Sequence, residues 1–188
     1  MIMKLFGSYT SPFVRHIRIA LAETNLAYEL VETDYAQSAA QSPAQRVPFL
    51  QDEERQLTDS TSILRHVRER AGQPLLTDIQ RFDMYCLVNT ALDTTINLFL
   101  LDREGLKSDA NPYLQRQAAR IQTTLQALEA ASVPEAFVWD DATIRLACFI
   151  DWAIFRQRLD FSAYPNLLAV LEKANQQATF IDSKPPAA

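Results

Sequence analysis

Four consecutive hydroxyl-bearing residues, Ser8, Tyr9, Thr10 and Ser11, stand directly before Pro12 and an amphipathic run. Ser11 holds the helix-cap position and Pro12 the first helical position, where a missing N–H costs nothing. A hydroxyl beside unpaired first-turn amides, at the positive end of a helix dipole, is suited to holding an anion. Ser11 is also suited to be a helix cap and nothing more. Further along, Asp59 and Ser60 open a second amphipathic run in the same manner.

The elements that must position these residues follow from periodicity. Met1–Phe6 reads as a strand and Pro12–Glu23 as a helix, with Phe13, Ile17, Ala20 and Leu21 on its packed face. Ala27–Val31 reads as a second strand, parallel to the first through a right-handed crossover. Tyr35–Ala44 has loose helical character. Residues Pro48–Leu50 and Arg55–Thr58 flank the polar turn Asp52-Glu53-Glu54 as a hairpin. Ser60–Ala71 is a helix with Ile63, Leu64 and Val67 inward, stopped by Gly72 and Pro74.

Beyond Pro74 the pattern becomes all-helical. Ile79–Asp102 carries a stripe of Phe82, Cys86, Leu92, Ile96 and Phe99. Asn111-Pro112 starts a second helix through Leu114, Ala118, Ile121, Leu125 and Leu128, with Pro134 beyond its end. Asp140 caps a third, Asp141–Phe155, apolar on nearly every side and therefore expected at the centre of a bundle. Pro165–Gln176 is a fourth, and the tail Ser183–Ala188 is expected to fray.

Composition bounds the class. At 188 residues, 48% hydrophobic and 22% charged, the chain is an ordinary globular one. A net charge of −5 gives no support for a nucleic-acid or anionic membrane surface. The 3 glycines argue against glycine-rich phosphate loops. No signal peptide and no membrane-crossing stretch is expected, which places the chain in the cytoplasm. The 2 cysteines, Cys86 and Cys148, read as buried reduced thiols. His16 and His66 read as surface residues, with Arg15 and Arg18 on the polar side of the first helix. No metal is expected, since neither histidine has ligand neighbours at suitable spacing.

Four segments, in order, carry a family resemblance: Gly7–Arg15 (GSYTSPFVR), Pro43–Leu50 (PAQRVPFL), Leu57–Ile63 (LTDSTSI) and Tyr164–Leu167 (YPNL). Together the chain resembles a cytosolic glutathione S-transferase, of the bacterial kind with serine or cysteine in the first segment. The resemblance implies an α/β plus all-α fold. A thioredoxin-like, glutathione-binding domain over 1–75 is followed by an all-helical domain over 79–188 that completes an electrophile pocket. It also implies a cis peptide before Pro48, which the sequence alone does not reveal.

By that resemblance Ser11 is the catalytic residue that hydrogen-bonds the thiol of glutathione, with Ser8, Tyr9 and Thr10 as rivals. Val47 offers main-chain groups to the cysteinyl part beside Pro48. Asp59 meets the γ-glutamyl ammonium, and Ser60 with its helix amides takes the α-carboxylate. Arg46 faces the glycyl carboxylate, or is a solvated surface arginine. Phe13, with Tyr9, lines the neighbouring apolar pocket, or belongs to the core. Gln45 is a weaker candidate. A free thiol has a pKa of about 8.5, which a helix N-terminus lowers.

The implied activity is conjugation of glutathione, the co-substrate, to a small apolar electrophile by a homodimeric enzyme. The alternatives are a non-catalytic or regulatory glutathione-binding protein on the same fold and a glutathione-dependent isomerase. A redox member of the family would carry cysteine where Ser11 stands. Several positions depart from the family pattern. Ser42 and Gln45 replace Asn and Gly before Val-Pro, and Asp59 replaces Glu. Asp140-Asp141-Ala142-Thr143 replaces a Ser/Thr-x-x-Asp capping box, so the reciprocal cap bond is weak or absent.

Overall fold

A computed structural model describes residues 2–186. In chain order it holds β1 Met3–Gly7, α1 Pro12–Glu23, β2 Tyr28–Glu32, α2 Tyr35–Gln41, β3 Phe49–Asp52, β4 Arg55–Leu57 and α3 Ser60–Arg70. There follow α4 Ile79–Arg103, α5 Pro112–Ala131, a 3-10 turn Pro134–Ala136, α6 Asp141–Phe155, α7 Pro165–Ala174 and α8 Ala178–Asp182. Two compact units result. One contains the chain up to Thr77 together with the segment from Asn175 onward, and the other is Asp78–Ala174.

The first unit is built on a sheet of order β2-β1-β3-β4. β1 pairs parallel with β2, and antiparallel with β3, which pairs antiparallel with β4. The alternation of short apolar strands and helices therefore yields the expected β-α-β then β-β-α order. Its core is Leu5, Phe6, Val14, Ile17, Phe49, Leu50, Ile63, Leu64 and Val67, all buried. Phe6 and Phe49 face each other across β1 and β3 and stack at 4.4 Å. Gly7 lets β1 close on α1, because a Cβ there would lie 2.4 Å from Val14 Cγ2. The peptide Val47–Pro48 is cis, as the resemblance implied.

Several expectations for this unit are corrected. Arg15 and His16 are buried rather than on a solvent face, because α1 is covered by α8 as well as by α3. His66 is half-buried, its Nε2 2.8 Å from Asp52 Oδ2. The tail is fixed at Ser183, which is buried and accepts a hydrogen bond from Arg15. Met1, Ala187 and Ala188 lie outside the described residues.

The second unit is helical throughout. α6 buries Ala142, Ile144, Leu146, Ala147, Cys148, Phe149, Ile150 and Trp152, as its all-round apolar sequence requires. It packs against α4 and α7. Asp140 caps it by accepting from Thr143 N at 3.0 Å. Arg81 of α4 holds the cap side chains from outside the helix, donating to Asp140 Oδ2 at 2.8 Å and to Thr143 Oγ1 at 2.7 Å. The N-terminus of α7 is satisfied from α5, since the Glu129 carboxylate accepts from Asn166 N and Leu167 N at 2.9 and 3.0 Å.

The buried stripe of α4 is Tyr85, Val88, Ala91, Leu92, Thr94 and Thr95, rotated from the expected one. Cys86 is accordingly exposed, correcting its reading as a buried thiol, whereas Cys148 is buried. Partial burial and the charge of Asp83 push the Cys86 thiol pKa up, which keeps it protonated. α4 is also long and apolar enough, by length and composition alone, to cross a membrane, against the expectation that no stretch would be. In the fold it packs against α5 and α6.

Candidate functional site

Strand polarity brings the sequence-marked segments to one end of the sheet. Phe6 of β1 is paired with Phe49 of β3, so the loop 8–11 that leaves β1 adjoins the segment 46–48 that enters β3. Leu50 is paired with Leu57, so Thr58, Asp59 and Ser60 leave β4 at that same end. α1 starts from the first of these segments and α3 from the last, and the two helices pack together. Two helix N-termini therefore share an end with a short cis-proline segment. That places two positive dipole ends in one neighbourhood.

Within the first loop, hydrogen bonding separates the four hydroxyls. Ser8 Oγ and Thr10 Oγ1 bond each other at 3.1 Å, and Ser8 Oγ also accepts from Thr10 N at 3.3 Å. Tyr9 lies with its ring 4.9 Å from the Arg18 guanidinium carbon. Ser11 N donates to Ser8 O at 3.0 Å, and Ser11 Oγ accepts from Val14 N at 3.3 Å. As a cap acceptor, Ser11 keeps its O–H proton available for a sulfur or oxygen anion.

At the second helix, Asp59 Oδ1 accepts from Thr61 N at 2.8 Å and from Ser62 N at 3.4 Å. Asp59 is exposed and Ser60 is buried. Between them and the first loop, Val47 is half-buried and Pro48 buried, while Arg46 is exposed. Gln45 holds a φ of 52°, a left-handed conformation that favours glycine. Phe13, in the first turn of α1, is half-buried and outside the buried core. Ser11, Val47, Pro48, Asp59 and Ser60 are thus gathered by the sheet, with Arg46 and Phe13 at the margins of the same segments.

Sequence reasoning did not find a second polar cluster in this unit, at the opposite end of β3. There Asp52 is 5% exposed and is bonded by His66 and Arg70, beside a surface cleft also lined by Glu53, Arg55 and Glu69. Burial pushes the Asp52 carboxyl pKa up, but the bonds from His66 and Arg70 outweigh it and hold the group below its ordinary value. The signal available in sequence was only the i, i+4 pair His66 and Arg70 on a helix that follows the hairpin.

Residues 5–75 match the family "Glutathione S-transferase, N-terminal domain". The uncharacterized GST-like protein YibF of Escherichia coli K12 is 27% identical over 202 residues, spanning 99% of this chain and all of that protein. A glutathione S-transferase of Methylobacillus flagellatus KT, solved with glutathione bound, superposes with a TM-score of 0.83 at 22% identity, covering 97% of this chain and 99% of that one. A maleylacetoacetate isomerase of Anaeromyxobacter dehalogenans 2CP-1 superposes at 0.73 with 26% identity, covering 98% of this chain and 91% of that one. The fold is that of the glutathione S-transferases: a thioredoxin-like N-terminal domain followed by a helical domain.

Proposed function

We propose that this chain is a glutathione transferase that binds glutathione at the shared end of the sheet and uses its thiolate on a small electrophile. The observation that carries the reading is the uncommitted O–H of Ser11, at a helix N-terminus, on the same sheet end as Val47-Pro48 and Asp59-Ser60. In this reading Ser11 donates to the thiolate sulfur, and the α1 dipole adds to its stabilisation. Val47 extends its main chain along the cysteinyl peptide as a short strand would. Asp59 pairs with the γ-glutamyl ammonium, and Ser60 with the α3 N-terminus receives the α-carboxylate. Arg46 and Phe13 are candidates for the glycyl carboxylate and for the apolar neighbourhood of the sulfur.

The chemistry asks little of the protein beyond this. The bound sulfur must be ionised at neutral pH, and each pKa unit of depression is worth about 1.4 kcal/mol of preference for the anion. The thiolate then forms a C–S bond as the leaving group departs from the electrophile or as a conjugated double bond takes up the electrons. Proximity supplies the remainder. The reading carries with it a cytoplasmic homodimer, of which sizing at micromolar concentration checks the dimer.

A second reading, glutathione-dependent isomerisation, is favoured by the likeness to the maleylacetoacetate isomerase. There the thiolate would add reversibly to a conjugated cis double bond and leave after rotation, with no net loss of glutathione. Titration with glutathione, followed by thiolate absorbance and by glutathione consumption, separates the readings. A lowered thiol pKa with consumption in the presence of an electrophile supports conjugation, and one without consumption but with conversion of a cis conjugated acid to its trans isomer supports isomerisation. Binding with neither reaction identifies a carrier. Ser11→Ala is expected to raise the bound thiol's pKa by about 1 unit, the worth of one net hydrogen bond. An unchanged pKa and turnover would remove Ser11 from the mechanism.

A further inference from the structure

α1 carries Arg15 and Arg18 one turn apart, and both reach the chain's last helix. Arg15 Nε donates to Ser183 Oγ at 3.1 Å, its Nη2 donates to Phe180 O at 2.8 Å, and its guanidinium lies 3.8 Å from the centre of the Phe180 ring. Ser183 is buried, and its hydroxyl donates to Phe180 O at 3.0 Å. Arg18 has a different pair of contacts. Its Nη1 donates to the Ser183 carbonyl at 2.9 Å, and its guanidinium lies 4.9 Å from the centre of the Tyr9 ring. Tyr9 stands two residues before Ser11, in the loop that leaves β1.

One side chain therefore touches both the C-terminal segment and the loop on which the proposed thiol site depends. We propose that Arg18 is a positioning residue for that loop, anchored on the Ser183 carbonyl and holding the Tyr9 ring in place. The proposal rests on the glutathione reading given above.

The physical case is one of shared constraint. Arg18 is half-buried, and its guanidinium is pinned by a charge-assisted hydrogen bond to a main-chain carbonyl. A planar cation fixed at one edge stacks on an aromatic face with little further loss of freedom. The partner carbonyl is itself fixed, because α8 is clamped to α1 by Arg15 through Phe180 and Ser183. Within the loop the Ser11 N to Ser8 O bond closes a single turn of main chain, and the Arg18 guanidinium meets the Tyr9 ring that this turn carries. Arg15 thus holds the segment, and Arg18 transmits its position to the loop.

Arg18→Met keeps the aliphatic stem and removes both the charge and the hydrogen bond. It is expected to raise the Kd for glutathione about 5-fold, roughly the loss of one partly exposed cation–π contact and its anchoring. Arg18→Lys, which remains cationic over the ring, should recover part of that loss. Tyr9→Leu should weaken binding by a similar factor, and the double variant Arg18→Met/Tyr9→Leu should be no weaker than either single one. Three affinity results overturn the proposal: wild-type affinity in Arg18→Met whatever its melting temperature, no rescue by lysine, or additive effects in the double variant. If the wild-type protein does not bind glutathione, the functional reading fails separately. Amide hydrogen exchange at Tyr9 and Thr10 then decides the positioning role, which predicts faster exchange in Arg18→Met and is overturned by unchanged rates.

Discussion

Asp59 permits folding and binding to be separated by one pair of substitutions. Its Oδ1 caps α3 through Thr61 N at 2.8 Å and Ser62 N at 3.4 Å, and its backbone is extended at φ −120° and ψ 138°. Asparagine offers the same carbonyl oxygen and is as good a cap as aspartate, so Asp59→Asn should change stability by only a few tenths of a kcal/mol. What it removes is the charge. A hydrogen bond to a charged group is worth about 1.5–3 kcal/mol, and the exposure of Asp59 puts the loss at the lower end. That corresponds to a rise of about 10-fold in the Kd for glutathione. Asp59→Ala removes cap and charge together. It should show the same loss of affinity and a further loss of about 1 kcal/mol of stability, or about 2–4 °C in Tm for a chain of this size. Calorimetric titration and a thermal melt on the same preparations measure both quantities. Wild-type affinity in Asp59→Asn would refute the ammonium-binding role, and a large drop in its Tm would refute the argument that the two functions are separable.

Two further outcomes test the frame around the site. Gly7→Ala places a Cβ 2.4 and 2.9 Å from the two methyl groups of the buried Val14, a β-branched side chain that cannot swing away. The cost is expected at about 1–3 kcal/mol, and Gly7→Ala/Val14→Ala should be less destabilised than the sum of its parts; strict additivity in thermal melts would contradict the contact. Asp52 is expected to shape the acid limb of stability, because its carboxyl titrates below its ordinary value in the fold. That contribution is present above the unfolded pKa of about 3.9 and is lost as pH falls through the lower folded value. Asp52→Asn should therefore flatten Tm against pH below about pH 4, and an acid limb unchanged from wild type would sink the assignment.

Helix starts were legible because they are written in single residues. Ser11-Pro12, Asp59-Ser60, Asn111-Pro112 and Asp140-Asp141 each mark a helix N-terminus in the fold. Which face a helix buries was less legible. α4 has two apolar stripes at helical spacing, one through Phe82, Cys86, Ile96 and Phe99 and one through Tyr85, Val88 and Ala91, and Leu92, expected on the first, is buried with the second. Periodicity does not rank them, and the fold buries the second against the bundle. The burial of Arg15 was illegible for a different reason. Its cover, Phe180 and Ser183, lies at the other end of the chain, and the short helix that carries them has no strong pattern of its own.

The candidate site depends on register more than on any one motif. Phe6 and Phe49 are opposite each other on β1 and β3, stacked in the core of the first unit. A slip of one residue between these strands would turn Phe49 to the other face of the sheet and carry Val47 and Pro48 with it. Burial of that aromatic pair thus fixes, through two peptide units, where the cis-proline segment stands beside the loop of Ser11. The next pairing, Leu50 with Leu57, does the same for Asp59 and Ser60. The core contacts that stabilise the sheet are therefore the ones that set the spacing between Ser11, Val47 and Asp59. This is why three short and individually weak sequence signals, about 50 residues apart at their extremes, describe one place in the molecule.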